Sequence, residues 1–313
     1  MLISACSGHS LPDGAQLAEI PDMPIGIQPA GGVLVLQTQG GDALDKSGPA
    51  NGVYSLATKG GELHMLGTLR TGWMTVAGGV AYYVTTLGGD VYAMKINNGA
   101  PQHVAQHVVD TANGIAAFDG GLLVIGRVGN GRPDRAFRID LTSGTVSPVT
   151  LPANSATTSP LQRWSSASAT LLSDELNGTT LRVDPQGAIS VIAAPPGAIE
   201  CVATTATQVW WFRQTLGDGS VPELYAAPLA GGTPVHIADT RTAGEKSVGC
   251  AANARDMFYS KGRQIFERPE QGEARAIATM NGELGELSAD DNALYWSEKL
   301  PSGKWSIRTL PVH

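Results

Sequence analysis

The sequence predicts an all-β fold, a seven-bladed β-propeller in which each blade is a four-stranded antiparallel sheet. Three observations predict it. A short apolar and aromatic run occurs seven times, each copy is followed by a second run with one large apolar residue, and Gly-rich turns separate the copies. A period of about 40 residues built from short strands is typical of blades that bury both faces only against neighbours. Six or eight blades remain alternatives.

The repeated runs define the strands. The first runs are VLVLQ from Val33, AYYVT from Ala81, LLVIG from Leu122, ATLLS from Ala169, VWWFR from Val209, MFYSK from Met257 and LYWSE from Leu294. The second runs carry Tyr54, Tyr92, Phe137, Leu181, Tyr225, Phe266 and Ile307. Because both series keep the same register, we divide each repeat into strands A to D, with A innermost.

The fifth repeat is the easiest to divide. Its strands are predicted at Glu200–Ala203, Val209–Arg213, Glu223–Pro228 and Pro234–Ala238, with the glycines of Ala230–Thr233 forming the hairpin from C to D. The last repeat ends after strand C. An open sheet edge would leave unpaired backbone groups, so we expect the segment Gln16–Ile20 to supply the missing outer strand of the seventh blade.

Composition limits the function classes. The chain has 39 Gly and 19 Pro, 16% charged residues and a net charge of −7. This balance suits many tight turns and argues against nucleic-acid binding, which requires clustered Lys and Arg. No apolar run is long enough for a membrane-spanning helix. We expect a monomer that needs no cofactor.

The first residues indicate export. The run Ile3-Ser4-Ala5-Cys6 resembles a bacterial lipobox, in which the cysteine is lipidated after cleavage. Met1–Ala5 is too short for the charged and apolar regions of a signal peptide, so we expect these to lie upstream. A chance apolar terminus with a free cysteine is the alternative. Residues 1–15 are therefore predicted to be the end of a signal with a flexible leader, and residues 16–313 a single propeller domain.

Two cysteines occupy nearly equivalent places in consecutive repeats. Cys201 and Cys250 each lie shortly before a strand B, so both fall on innermost strands of neighbouring blades. A disulfide between them is geometrically feasible and fits an oxidising compartment. Two buried reduced cysteines are the alternative.

The repeats resemble those of known propellers. LYWSE from Leu294 and LYAAPLAGGTPVHIA from Leu224 are similar to the repeats of bacterial exported propellers with YWT-type and GGTP-type motifs. LYWSE is also similar to the YWTD repeat of receptor propellers, with Ser297 and Glu298 in place of Thr and Asp. The resemblance covers about Ile25 to Pro311 and implies a structural repeat, without catalytic residues.

Candidate site residues lie on loops and in the channel. We expect long B-to-C loops in repeats one, three, five and seven, and short ones between. The charged residues of these long loops are candidates for partner binding: Asp42, Asp45, Arg127, Arg132, Asp134, Arg135, Asp218, Lys299 and Lys304. Solvated loops are the simpler interpretation.

The innermost strands supply polar residues to the channel: Gln28, Trp73, Arg163, Trp164, Glu200 and Glu286. Glu200, Glu286 and Arg163 would serve as catalytic residues if the protein is an enzyme. A water-filled polar channel is the alternative. No nucleophile elbow, nucleotide loop or metal motif occurs, and the spacing of His103 and His107 suits a metal only on a helix.

Aromatic pairs on the B strands are expected to pack between blades. Trp210 and Trp211 are adjacent, and neighbouring strand residues point to opposite faces. A sugar-stacking platform is the alternative.

These observations favour a non-enzymatic binding or scaffold protein of the bacterial envelope. It would be lipid-anchored at Cys6, periplasmic or at the cell surface, and would present loops to a protein or glycan. A lyase or hydrolase acting on a polysaccharide or peptide through the channel carboxylates is the alternative, and a purely structural envelope component is a third.

Overall fold

The computed structural model describes residues 12–39, 51–69, 72–97, 99–129, 134–153, 161–165, 170–174, 179–192, 198–214, 223–239 and 249–312. These residues form β-strands, turns and connections. In chain order the strands are β1 Ala15–Ile20, β2 Met23–Ala30, β3 Val33–Gln39, β4 Asn51–Ala57, β5 His64–Leu69, β6 Gly72–Ala77, β7 Val80–Thr85, β8 Val91–Lys95, β9 Gln102–Ala105, β10 Thr111–Phe118, β11 Gly121–Arg127, β12 Arg135–Asp140, β13 Val146–Val149, β14 Leu161–Ser165, β15 Thr170–Asp174, β16 Thr180–Val183, β17 Ile189–Ile192, β18 Ala198–Thr204, β19 Gln208–Gln214, β20 Glu223–Pro228, β21 Val235–Asp239, β22 Cys250–Ala252, β23 Asp256–Lys261, β24 Gln264–Pro269, β25 Arg275–Thr279, β26 Glu283–Ala289, β27 Ala293–Lys299 and β28 Trp305–Pro311.

The strands form seven four-stranded antiparallel sheets, which confirms the predicted propeller and its blade number. Six sheets are consecutive meanders, from β2-β3-β4-β5 to β22-β23-β24-β25. The seventh has the order β1-β28-β27-β26. The first strand of each meander contacts the first strand of the next, and β26 contacts β2. The innermost strands therefore form a continuous ring around the channel.

The N-terminal strand is the outer strand of the seventh sheet. Ala15 pairs with Thr309 and Ile20 with Trp305, antiparallel to β28. The strand predicted at Gln16–Ile20 is therefore correctly placed, and the observed strand begins one residue earlier, at Ala15. Pairing here covers a row of backbone groups on β28 that would otherwise be an open edge.

The core lies between the sheets. Among the described residues, buried side chains form seven clusters, and each cluster joins two neighbouring sheets. Trp210 packs between the fifth and sixth sheets, whereas Trp211 packs between the fourth and fifth. Both are buried, so they fill blade interfaces as the strand alternation predicts. Burial of such large aromatics contributes strongly to holding neighbouring sheets together.

Paired glycines form the hairpins at one end of the sheets. Gly31-Gly32 and Gly78-Gly79 join the first two strands of their sheets with positive φ at both positions. These backbone conformations are open to glycine at little cost. In the described part of the chain no helix is both long and apolar enough to cross a membrane.

Candidate functional site

The strand directions divide the connections between the two ends of the ring. Because each sheet is a meander, the B-to-C connections and the connections between sheets lie at one end, which we call the loop face. The A-to-B and C-to-D turns lie at the other end, which we call the turn face. The innermost strands start at the loop face and run toward the turn face.

Four innermost strands carry a β-bulge, and all four belong to odd-numbered sheets. Each bulge begins in the half of the strand nearer the loop face. The residues at the bulges are Ile25 in β2, Asn113 in β10, Glu200 in β18 and the pair Gly285-Glu286 in β26, which together stand opposite Ser297. The paired registers of β6, β14 and β22 are continuous. A bulge leaves one residue without a ladder partner and redirects its side chain. Two of the channel carboxylates thus occupy bulges.

Glu286 is fixed at its bulge by the neighbouring strand. Its backbone N–H donates a hydrogen bond to Ser297 Oγ at 2.8 Å. The side chain is half-buried, and burial raises the pKa of its carboxyl to about 7. A carboxyl with such a pKa exchanges its proton near neutral pH. Glu286 therefore combines a defined position with unusual acid-base character.

The three residues expected to act together in an enzyme lie on three different innermost strands. Arg163 is on β14, where its backbone pairs with Leu172, and Glu200 is half-buried on the adjacent strand β18. Glu286 is on β26, and β22 lies between its strand and that of Glu200. The fold thus places Arg163 on the strand next to that of Glu200, and it separates Glu286 from Glu200 by one sheet and from Arg163 by two.

Two predicted channel residues tie neighbouring sheets together. Gln28 Nε2 donates to the carbonyl oxygen of Met74 at 3.2 Å, joining β2 to β6. Trp73 Nε1 donates to the carbonyl oxygen of Ala112 at 3.0 Å, joining β6 to β10. These bonds support the ring between the first three sheets.

The disulfide provides a covalent tie of the same kind. Cys201 in β18 and Cys250 in β22 are bonded, with their Cα atoms 6.1 Å apart, and both are buried. The predicted disulfide is confirmed. Cys201 immediately follows Glu200, so the bond holds the bulged segment of β18 against the sixth sheet.

Four predicted rim cations lie at the loop face. Arg127 ends β11, Arg135 starts β12, and Lys299 ends β27. Lys304 precedes β28 and pairs with Glu19 at 3.6 Å, with both side chains largely exposed. Arg135, Lys299 and Lys304 are exposed, so cationic groups are accessible near the third and seventh sheets, whereas Arg127 is half-buried.

Asp134 lies below the rim instead of on it. Its side chain is only 4% exposed, and Asp134 Oδ2 accepts a 2.6 Å hydrogen bond from Asn113 Nδ2. The bond connects the B-to-C connection of the third sheet to the bulge of β10. The prediction that Asp134 is exposed on the rim is therefore wrong. Asn113, on the inner strand 21 residues earlier, supplies a buried hydrogen-bond donor that holds the carboxylate inside. The remaining predicted residues Asp42, Asp45, Arg132, Asp218 and Cys6 lie outside the described residues.

The predicted alternation of loop lengths holds only in part. The connections 40–50, 128–134 and 215–222 are long, and 262–263 is short. The connection 300–304 of the seventh sheet has the same length as 86–90 and 175–179 in the second and fourth sheets. The seventh sheet is therefore wrongly grouped with the long-loop repeats, because β27 extends one residue past the predicted run, to Lys299, and leaves a connection no longer than those of the second and fourth sheets.

One loop-face connection is unusually constrained. His107 has a φ of 45°, a conformation rarely adopted by residues other than glycine. Its N–H donates to Asp90 Oδ1 at 3.1 Å, and its Nδ1 lies 3.2 Å from the carbonyl oxygen of Gly88. The neighbouring Leu87 is 78% exposed. His107 thus has a structural role here, and in the described part of the chain no three metal-binding side chains cluster.

Sequence reasoning missed the residues that build the bulges. Asn113 and Ser297 are buried and act through hydrogen bonds to residues elsewhere in the chain. Ser260 accepts the N–H of Gly249 at 3.0 Å in the same way that Ser297 accepts that of Glu286. Both serines occupy the same place in the repeat, in MFYSK and LYWSE, and this shared position was the one sign in the sequence of their common role.

No protein family and no curated protein matches the chain. Solved structures do. One is the structure of a catalytically inactive virginiamycin B lyase from Staphylococcus aureus with quinupristin. Its sequence is 15% identical to this chain, and the two structures match with a TM-score of 0.62 over 95% of this chain and 98% of that one. BamB from Moraxella catarrhalis is 16% identical with a TM-score of 0.54, over 91% of this chain and 84% of that one.

PorZ is also similar; it is an essential bacterial surface component of the type-IX secretion system of Porphyromonas gingivalis. It is 11% identical with a TM-score of 0.54, over 97% of this chain and 39% of that one. At these identities the similarities show a shared propeller fold.

Proposed function

We propose that the protein is an exported, non-enzymatic binding propeller of the bacterial envelope that holds a protein or glycan partner at its loop face. The observation that carries the proposal is the clustering of four inner-strand bulges toward this face. Bulges are frequent beside functional sites, where they redirect side chains. Exposed cations at Arg135 and Lys299 give the same face a polar rim.

Export is supported by the disulfide and by one structural neighbour. Disulfides persist mainly in oxidising compartments outside the cytosol, and Cys201–Cys250 is such a bond. PorZ, with the same fold, is a bacterial surface component. The lipobox-like run before Cys6 is consistent with attachment to a membrane by acyl chains.

A lyase or hydrolase is the second candidate. It is favoured by the raised pKa of Glu286, since a carboxyl with a pKa near neutrality suits general acid catalysis. Similarity to virginiamycin B lyase adds a neighbour with lyase activity. The separation of Glu286 from Glu200 by a whole sheet argues for the binding role, because paired carboxylates must share one substrate.

Site-specific photo-crosslinking tests the binding role. p-Benzoylphenylalanine is placed at Arg135 or Lys299 on the loop face, or at the exposed Gln271 on the turn face as the matched control. The protein is then irradiated in an envelope extract of its source bacterium. We expect one discrete adduct from both loop-face positions and about tenfold less from Gln271. Equal labelling from both faces, or none, would contradict the proposal.

A further inference from the structure

Glu286 is held in place by a glycine that the bulge requires. A Cβ atom added to Gly285 would lie 2.6 Å from Ser297 Oγ and 2.7 Å from the ring of Trp305. These distances are shorter than real Cβ contacts, so residue 285 can pack here only without a side chain. Together with the hydrogen bond from the Glu286 N–H to Ser297, this contact sets the direction in which Glu286 leaves the strand.

The Glu286 side chain belongs to neither of the flanking cores. Leu284 and Leu287 pack between the sixth and seventh sheets, and Trp305 packs between the seventh and first. Glu286 lies on the innermost strand and is half-buried, so part of its side chain keeps access to solvent. Its carboxyl is therefore directed to the inner edge of the ring, where the channel runs.

Among the described strands that pack against β26, no basic side chain pairs with Glu286. The adjacent innermost strands β2 and β22 have no ionisable side chain apart from the disulfide-bonded Cys250. On β27, Glu298 is already paired with Arg308 of β28. The remaining charges of packed strands, Glu283, Lys299, Asp256 and Lys261, lie at strand ends.

A carboxylate in such a place is unfavourable until a cation joins it. Burial alone raises the pKa of Glu286, with no neighbouring charge opposing the shift. Removal of a carboxylate from water carries a penalty that a closely placed cation offsets. Charge-assisted hydrogen bonds gain strength where water is partly excluded.

The geometry points to a ligand chemistry: we propose that Glu286 receives the ammonium or guanidinium group of a lysine or arginine side chain that a protein partner inserts into the channel from the loop face. The inference rests on the proposed binding function and specifies its chemistry. Glu286 is the fourth residue of β26, roughly 10 Å from the start of the strand. A long side chain with an apolar stem and a charged end suits this depth.

A defined probe tests the electrostatic part directly. N-acetyl-arginine-N-methylamide is titrated into the full chain labelled with 15N, and the amide resonance of Leu287, which every variant retains, is followed. Its neutral counterpart is the citrulline analogue. We expect saturable binding of the arginine compound to the wild type and to Glu283→Gln, weakened at least about tenfold in Glu286→Gln. Equal affinity for Glu286→Gln, or for citrulline, would overturn the inference.

Crosslinking in the envelope extract separates this inference from the proposed function. Photo-crosslinker at Arg135 is combined with Glu286→Gln or with the control Glu283→Gln, and unfolding curves verify that each variant folds. Loss of the protein adduct in Glu286→Gln alone supports the inference. Equal adducts in all backgrounds overturn it while the binding function stands. A protease-resistant glycan adduct also overturns it, and absence of any adduct ends both proposals.

Discussion

Arg308 forms an ion pair with the fully buried carboxylate of Glu298, and its guanidinium also donates 3.2 Å hydrogen bonds to the carbonyl oxygens of Asp13 and Gly14. Glu298 accepts a further hydrogen bond from the N–H of Asn281 at 2.8 Å. The pair therefore connects the middle of the seventh sheet to the segment that leads into β1.

Arg308→Ala is expected to destabilise the fold by about 3–5 kcal/mol, because it leaves Glu298 buried without its cation. Urea unfolding measures the free energy of unfolding, and hydrogen exchange in β1 should rise more than in the other outer strands. Lys304→Ala is the matched control. It breaks the exposed pair with Glu19 and should lower stability by less than about 1 kcal/mol. Equal losses in the two variants would contradict a special role for Arg308.

The Cys201–Cys250 bond is expected to stabilise the fold by about 4 kcal/mol in the chain-entropy treatment, given a separation of 49 residues. Replacing both cysteines by serine should lower the free energy of unfolding by this order. A reductant should lower the stability of the wild type and leave that of the double variant unchanged. If the reductant affects both proteins equally, the disulfide is not the source of the difference.

Stability should depend on pH through Glu286. Its folded-state pKa of about 7 lies above the ordinary value of 4.5, so the folded state binds this proton more tightly than the unfolded state. The stabilisation is complete below about pH 4.5 and is lost as pH rises through 7. Glu286→Gln should therefore be more stable than the wild type at pH 8.5. The upper limit of this difference is about 3 kcal/mol, and solvent screening of the half-buried carboxylate makes it smaller.

The matched control for this pH dependence is Glu283→Gln, on the same strand but exposed. This variant shows how much of any difference comes simply from removing a carboxylate from β26. Unfolding curves at a series of pH values measure both variants. A Glu286→Gln curve parallel to the wild type would show that the carboxyl is well solvated.

Gly285→Ala should disturb the bulge of β26. The added methyl group would meet Ser297 Oγ and the Trp305 ring, and overpacking of this kind costs about 1–3 kcal/mol. Gly303→Ala is a useful comparison, since a Cβ there has open space although its φ is 84°. Crystal structures and unfolding curves of both variants provide the check. An unchanged β26 register in Gly285→Ala would contradict the proposed requirement.

Local patterns were sufficient to predict the sheets but not their irregularities. Adjacent tryptophans at 210 and 211 had to point to opposite faces of one strand, so their packing between different sheets followed from alternation. The cysteines followed from equivalent places in two repeats. The bulge at Glu200 adds one residue to its strand. Because the loops of the repeats also vary in length, the sequence does not show whether an extra residue belongs to a loop or to a strand. The burial of Asp134 depends on Asn113, from another strand, and no spacing in the sequence reveals that contact.

The disulfide has a mechanical consequence for the channel. Neighbouring sheets of the ring are otherwise joined by side-chain packing and scattered hydrogen bonds, which allow small sliding movements. A covalent bond between β18 and β22 removes that freedom at one place. The fifth and sixth sheets are tied together at their innermost strands, so breathing that widens the channel is more restricted there than at the other interfaces, including the two on either side of β26.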